Sequence, residues 1–179
     1  MTLPASDADP SICIGCGLCC DGTLHATAKV QPGDEAVVTA ARLAIEEEGE
    51  RRFFRQPCPN FSCGSCTVYG HRPPVCRTYQ CALLLNVEAG EVSKPDARET
   101  IASAKKLVAA VRAIDPTSVT PAQRSQLAER LKTRLHAAEG PDREATAKAL
   151  LDIAVLEHFL ARWFLKDKNK PGPQQGYPR

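Results

Sequence analysis

The chain contains no apolar run of the twenty or so residues that a membrane span needs. The nearest candidate, Leu150 to Leu165, is broken by Asp152, Glu157, His158 and Arg162, so no membrane partner is expected. The first ten residues have neither a basic n-region nor an apolar h-region, so they do not read as a secretion signal, and the expected location is the cytoplasm. Net charge is equally scarce: +2 over 179 residues is too little to imply a nucleic-acid partner. There is no internal repeat. Gly15-Cys16-Gly17 opens no phosphate-cradling loop of the G-x-G-x-x-G kind. No Ser-His-Asp set or carboxylate pair marks a catalytic centre.

Cysteine is abundant. Nine cysteines lie between Cys13 and Cys81, and the first four fall as Cys13-x-x-Cys16-x-x-Cys19-Cys20. A chain of this length can bury a core without covalent staples. A reducing cytoplasm and an odd cysteine count both argue against a disulfide framework. Cysteines two residues apart can turn their sulfurs toward one point, which is why the spacing recurs in zinc and iron–sulfur ligation. If residues 13–20 were helical, all four thiols would fall within an arc of about 120°. Gly15 and Gly17 weaken a continuous helix but let backbone amides approach the sulfurs. Adjacent Cys19 and Cys20 are hard to satisfy with one small ion, so one of them is expected to reach a second site or to bridge.

The second group, Cys58, Cys63, Cys66, Cys76 and Cys81, matches neither the two-cysteine, two-histidine zinc finger nor the short regular ferredoxin run. Spacing alone says thiolate site and soft metal, zinc or iron, without choosing between them. His25 and His71 are near enough in sequence to be candidate ligands, whereas His136 and His158 read as ordinary helix residues. Metal binding turns thiols into thiolates, and Lys29, Arg51, Arg52, Arg55, Arg72 and Arg77 are the basic residues near enough in sequence to offset that charge. Arg72 and Arg77 are the strongest candidates, able to donate to sulfur or to pair with Asp21.

The pattern predicts a mainly α fold. A small irregular cysteine-rich metal-binding domain with short strands spans 11–90, a three-helix C-terminal region spans 95–166, and a disordered tail rich in Pro and Gly spans 167–179. Within the first part, Asp34 to Glu48 reads as a helix capped by Asp34 and ended by Gly49. Thr23 to Val30 and Cys66 to Tyr69 read as short strands, and Pro73-Pro74 opens one helix carrying Cys76, Cys81 and Leu83 to Leu85. The later helices are predicted over Pro95 to Ile114, from Thr120-Pro121 onward with Leu127, Leu131 and Leu135 on one stripe, and from Gly140-Pro141 to about Lys166.

With both cysteine groups in view, the chain resembles the family known for its Cys-x-x-Cys-x-x-Cys-Cys motif, a proposed zinc- or iron-chelating domain that includes the YkgJ-like proteins. The residues that carry the resemblance are Cys13, Cys16, Cys19-Cys20-Asp-Gly, Gln56-Pro-Cys58-Pro, Cys66-Thr-Val-Tyr-Gly-His-Arg-Pro73, Cys76-Arg77 and Cys81. They cover roughly Ser11 to Leu85. The resemblance implies eight metal ligands: Cys13, Cys16, Cys19, Cys20, Cys58, Cys66, Cys76 and Cys81. Cys63 is extra to that pattern, a further ligand or a free thiol on a loop.

Three readings of function stay open. One is a cytosolic protein holding zinc or iron, as ions or as an iron–sulfur cluster, through thiolates from two segments. A related branch of the family resembles flagellin lysine methylases and implies an iron–sulfur-dependent protein-modifying enzyme. The third is a zinc-stabilised interaction module whose C-terminal helices meet a protein partner.

Overall fold

The computed structural model describes residues 11–166; the predicted tail lies outside them. Strand β1 (Thr27–Lys29), helix α1 (Glu35–Ala40) and strands β2 (Glu46–Glu48) and β3 (Arg51–Arg55) come first. Next are the two-residue strands β4 (Phe61–Ser62) and β5 (Ser65–Cys66) and a 3-10 turn at Tyr69–His71. The helices α2 (Pro74–Thr78), α3 (Ala82–Glu88), α4 (Lys94–Ile114), α5 (Pro121–Ala137) and α6 (Gly140–Trp163) complete the chain. The fold is mainly helical with a few short strands, as the sequence predicts.

The three long helices fall where their signals place them. Ser93 caps α4 by accepting from the Asp96 amide at 3.2 Å. Thr120 and Gln123 form a reciprocal capping box at the start of α5, with Pro121 in the first turn. On α6, Ile153, Leu156 and Leu160 are buried, while Leu151 and Val155 are exposed. None of the helices among the described residues is long and apolar enough to cross a membrane.

The first half departs from expectation in three places. The helix predicted over Asp34 to Glu48 stops at Ala40, and Arg42 takes a left-handed conformation with φ 57°. Glu46–Glu48 is instead an edge strand pairing antiparallel with β3. Charge complementarity explains the preference: Glu47 accepts from Arg52 at 3.0 Å, and Glu46 accepts from Arg55 at 2.8 Å. Gly49, φ 59°, is therefore the first residue of a two-residue hairpin loop rather than a helix stop. Nor does the Asp34 side chain cap α1; Glu35 accepts from the Gly33 amide nearby. The expected strand after Cys66 ends at Cys66 itself and gives way to the 3-10 turn. The single helix expected beyond Pro74 is two short ones, broken at Tyr79 and Gln80, with Cys81 preceding α3.

Two apolar clusters organise the molecule. The larger joins Ile12, Leu18, Leu24 and Leu83 to buried residues of α4, α5 and α6, so the cysteine segment rests directly on the helices. The smaller holds Val30, Val38, Ala41, Leu43 and Phe54 beneath the β1–β3–β2 sheet. Because the larger cluster crosses the predicted boundary at 90–95, a fragment ending at residue 90 exposes four large side chains that are otherwise buried. Each loses about 1.5–3 kcal/mol of burial. A fragment of residues 11–90 is expected to lack a cooperative unfolding transition, and a sharp melt for that fragment would contradict the shared core.

Candidate metal centre

Residues 13–20 form consecutive turns rather than a helix. Gly15 and Gly17 both have positive φ, 80° and 78°. At Gly17 there is a second constraint, because a Cβ would lie 2.1 Å from the Phe61 ring. That close approach seats the β4–β5 hairpin, and with it Cys66, against the first cysteine loop. The Cys20 and Asp21 amides both donate to the Gly17 carbonyl at 2.9 Å, and the Cys58 amide donates to the Cys20 carbonyl at 2.7 Å. Backbone hydrogen bonds thus tie the two cysteine groups together.

All nine cysteines are free thiols. Eight of them separate into two neighbourhoods. Cys16, Cys19 and Cys81 pack against the larger core, and Cys58 and Cys76 against the smaller. Burial, then the charges of Cys81 and Cys13, push the Cys16 thiol up to about 11. Burial raises Cys19 as well, followed by Cys81, Cys16, Cys20 and Cys13. Cys20 answers to a different group: burial and then Cys58, Cys66 and Cys76 push it up to about 12. Cys76 rises to about 11 through burial and then Cys58 and Cys66, with Arg72 opposing. One neighbourhood therefore comprises Cys13, Cys16, Cys19 and Cys81, the other Cys20, Cys58, Cys66 and Cys76.

Seven of these eight thiols, all but Cys58, line one cavity of about 490 Å³. Among the described residues no three His, Cys, Asp or Glu side chains are gathered tightly enough to hold a single ion where they stand. The donor set nevertheless suits a thiophilic metal. Buried thiols, whose proton affinity burial raises, exchange their protons for a soft cation that supplies compensating charge.

The remaining candidates divide. Cys63 is exposed at the tip of the β4–β5 hairpin, with φ 49°. His25 lines the cavity, but its Nε2 is 2.7 Å from the Tyr79 hydroxyl, and burial lowers its proton affinity. His71 is exposed beside Val37 and Val68, in a separate small hollow with no cysteine in its lining. Arg72 lies over the Tyr69 ring at 3.8 Å and its charge reaches Cys76, in keeping with an offsetting role. Arg77 is exposed, and neither arginine pairs with Asp21; Arg112 does, at 3.0 Å. Arg52 and Arg55 are engaged by glutamates rather than thiols, while Lys29 lines the cavity.

Four contributors were not evident from the cysteine spacing. Tyr79 stands beside the first thiol group, its hydroxyl raised by burial and then by Cys19, Cys81 and Cys13. Lys105 of α4 donates to the Gly15 carbonyl and lowers Cys16. Arg112 reaches Asp21 and Thr23, and Arg124, only 2% exposed, donates to the Thr23 carbonyl at 3.0 Å and pairs with Glu157. The signal for Arg124 was a charge at the buried spacing of Leu127 and Leu131. Replacing Arg124 with Met strands the Thr23 carbonyl in the core, an expected loss of about 2–3 kcal/mol. Chemical denaturation of the metal-free protein checks this, and an unchanged midpoint would contradict the clamp.

No curated protein and no solved structure matches the chain. A family model, CxxCxxCC, described as "Putative zinc- or iron-chelating domain", matches residues 12–105, beyond the segment that the cysteines alone delimit and as far as Lys105. With more than half its length matched and all eight grouped thiols inside the match, the chain belongs to the CxxCxxCC family.

Proposed function

We propose that the protein holds two thiolate-ligated metal centres, one on Cys13, Cys16, Cys19 and Cys81 and the other on Cys20, Cys58, Cys66 and Cys76, and that both are iron–sulfur clusters. The observation that carries this reading is the cavity of about 490 Å³ walled by thiols of both groups. A tetrahedral zinc ion draws four sulfurs to about 2.3 Å from one point, whereas a cavity of this volume accommodates a larger group. Iron–sulfur clusters are held by four cysteines each and supply one-electron transfer. Lys105 and Arg72 each place one positive charge beside a group, the kind of nearby charge that tunes such centres. Nine free thiols also suit a reducing compartment, for which we take the cytoplasm.

Anaerobic purification followed by metal and acid-labile sulfide analysis tests the assignment. Iron with matching sulfide and a brown colour are expected, and colourless protein with stoichiometric zinc would overturn it. Cys19→Ser and Cys20→Ser should deplete different centres, while Cys63→Ser retains the full complement. Identical losses for the first pair would contradict the division.

Opposite pH slopes follow from the raised thiols. In metal-free protein, Cys16, Cys20 and Cys76 keep their protons to about 11, 12 and 11, whereas unfolded thiols ionise near about 8.5. Their contribution to stability is complete below that value and is lost as pH rises toward 11. In loaded protein the thiolates are already deprotonated, and unfolding takes up protons below about 8.5, so stability increases with pH up to that point. Thermal melts between pH 6 and pH 10, with and without metal, check the two signs.

A further inference from the structure

We propose that the peptide unit joining Cys19 to Cys20 couples the two centres electrostatically, so that charge placed on either centre is felt by the other. The inference rests on the iron–sulfur reading above and concerns how the chain arranges its own thiols. Cys19 packs with Cys16 and Cys81 on the larger core. Cys20 has Cys58, Cys66 and Cys76 as its thiol neighbours, and two of these, Cys58 and Cys76, lie on the smaller core. Consecutive residues thus serve different thiol groups.

The linkage is short and held in place. The one cis peptide among the described residues is Gln56–Pro57, so the Cys19 and Cys20 Cα atoms stand about 3.8 Å apart across a trans bond. Two thiolates joined in this way keep their centres within two side-chain lengths and one peptide of each other. The Cys20 backbone is fixed on both sides. The Cys20 amide donates to the Gly17 carbonyl at 2.9 Å, and the Cys20 carbonyl accepts from Cys58 at 2.7 Å. Beyond it, Arg112 holds Asp21 at 3.0 Å and Arg124 holds the Thr23 carbonyl at 3.0 Å. Both Cys19 and Cys20 line the same cavity, and among the described residues no carboxylate belongs to its wall. Two-cluster ferredoxins likewise divide one short cysteine run between neighbouring centres.

Like charges this close interact through a medium far less screening than water. Uptake of one electron by one centre from an external one-electron donor such as dithionite is expected to disfavour uptake of the second by roughly tenfold.

The test uses the full chain, purified without air, with iron and sulfide measured on the same sample and stepwise reduction followed by electron paramagnetic resonance. The fully reduced protein is expected to give a broadened, split signal that differs from the sum of the Cys13→Ser and Cys76→Ser signals. The surviving centre of each variant should also reduce about tenfold more readily than the second centre of the intact protein. Should either variant lose both centres, the intact protein decides by itself, through a splitting that stays constant in field units as the microwave frequency is changed. Two clusters with additive, unsplit signals would overturn the coupling alone. A protein filled with zinc would overturn the coupling and the iron–sulfur reading together.

Discussion

A buried guanidinium holds the turn that follows the paired cysteines. Arg124 donates to the Thr23 carbonyl and the Val119 carbonyl and pairs with Glu157, so one side chain of α5 joins the cysteine segment, the α4–α5 connection and α6. Thr23 is fully buried at that point, and Arg112 reaches the same turn from α4. A carbonyl buried without a donor costs the full desolvation of the group, so the direction of the chain after Cys20 depends on these two arginines. The three long helices serve the cysteine segment as its foundation.

On that foundation the thiols are arranged against two different apolar surfaces. The larger core carries Cys16, Cys19 and Cys81, and the smaller, under the β1–β3–β2 sheet, carries Cys58 and Cys76. Burial is the first cause of every raised thiol in both groups, and the charge of neighbouring thiols comes after it. Concentrating sulfur where water is scarce makes the metal-free site hold its protons tightly. The same arrangement favours a soft cation that can replace those protons.

Local signals with a single physical cause were readable. Thr120 with Pro121 and Gln123 is a complete helix start, and the apolar spacing of Ile101, Ala104 and Val108 needed only one partner surface. Signals with two uses were misread. The acidic run at Glu46–Glu48 suits an exposed helix face as well as an edge strand, and the arginines of β3 chose the strand. Tyr79 and Gln80 interrupt what looked like one helix, and the break leaves Tyr79 beside His25. His71, close to Cys66 in sequence, is turned toward Val37 and Val68 instead.

The sequence by itself determined that sulfur would be concentrated in the first half and that three amphipathic helices would follow, because apolar spacing and helix-start signals act over a few residues. How the thiols divide was decided only by the tertiary structure. Cys81 joins Cys16 and Cys19 on the larger core while Cys76, five residues earlier, lies on the smaller one. No local rule separates those two cysteines. Their separation comes from the break between α2 and α3 and from the Ala82 amide donating to the Phe164 carbonyl at the end of α6, contacts that exist only once distant parts of the chain have packed together.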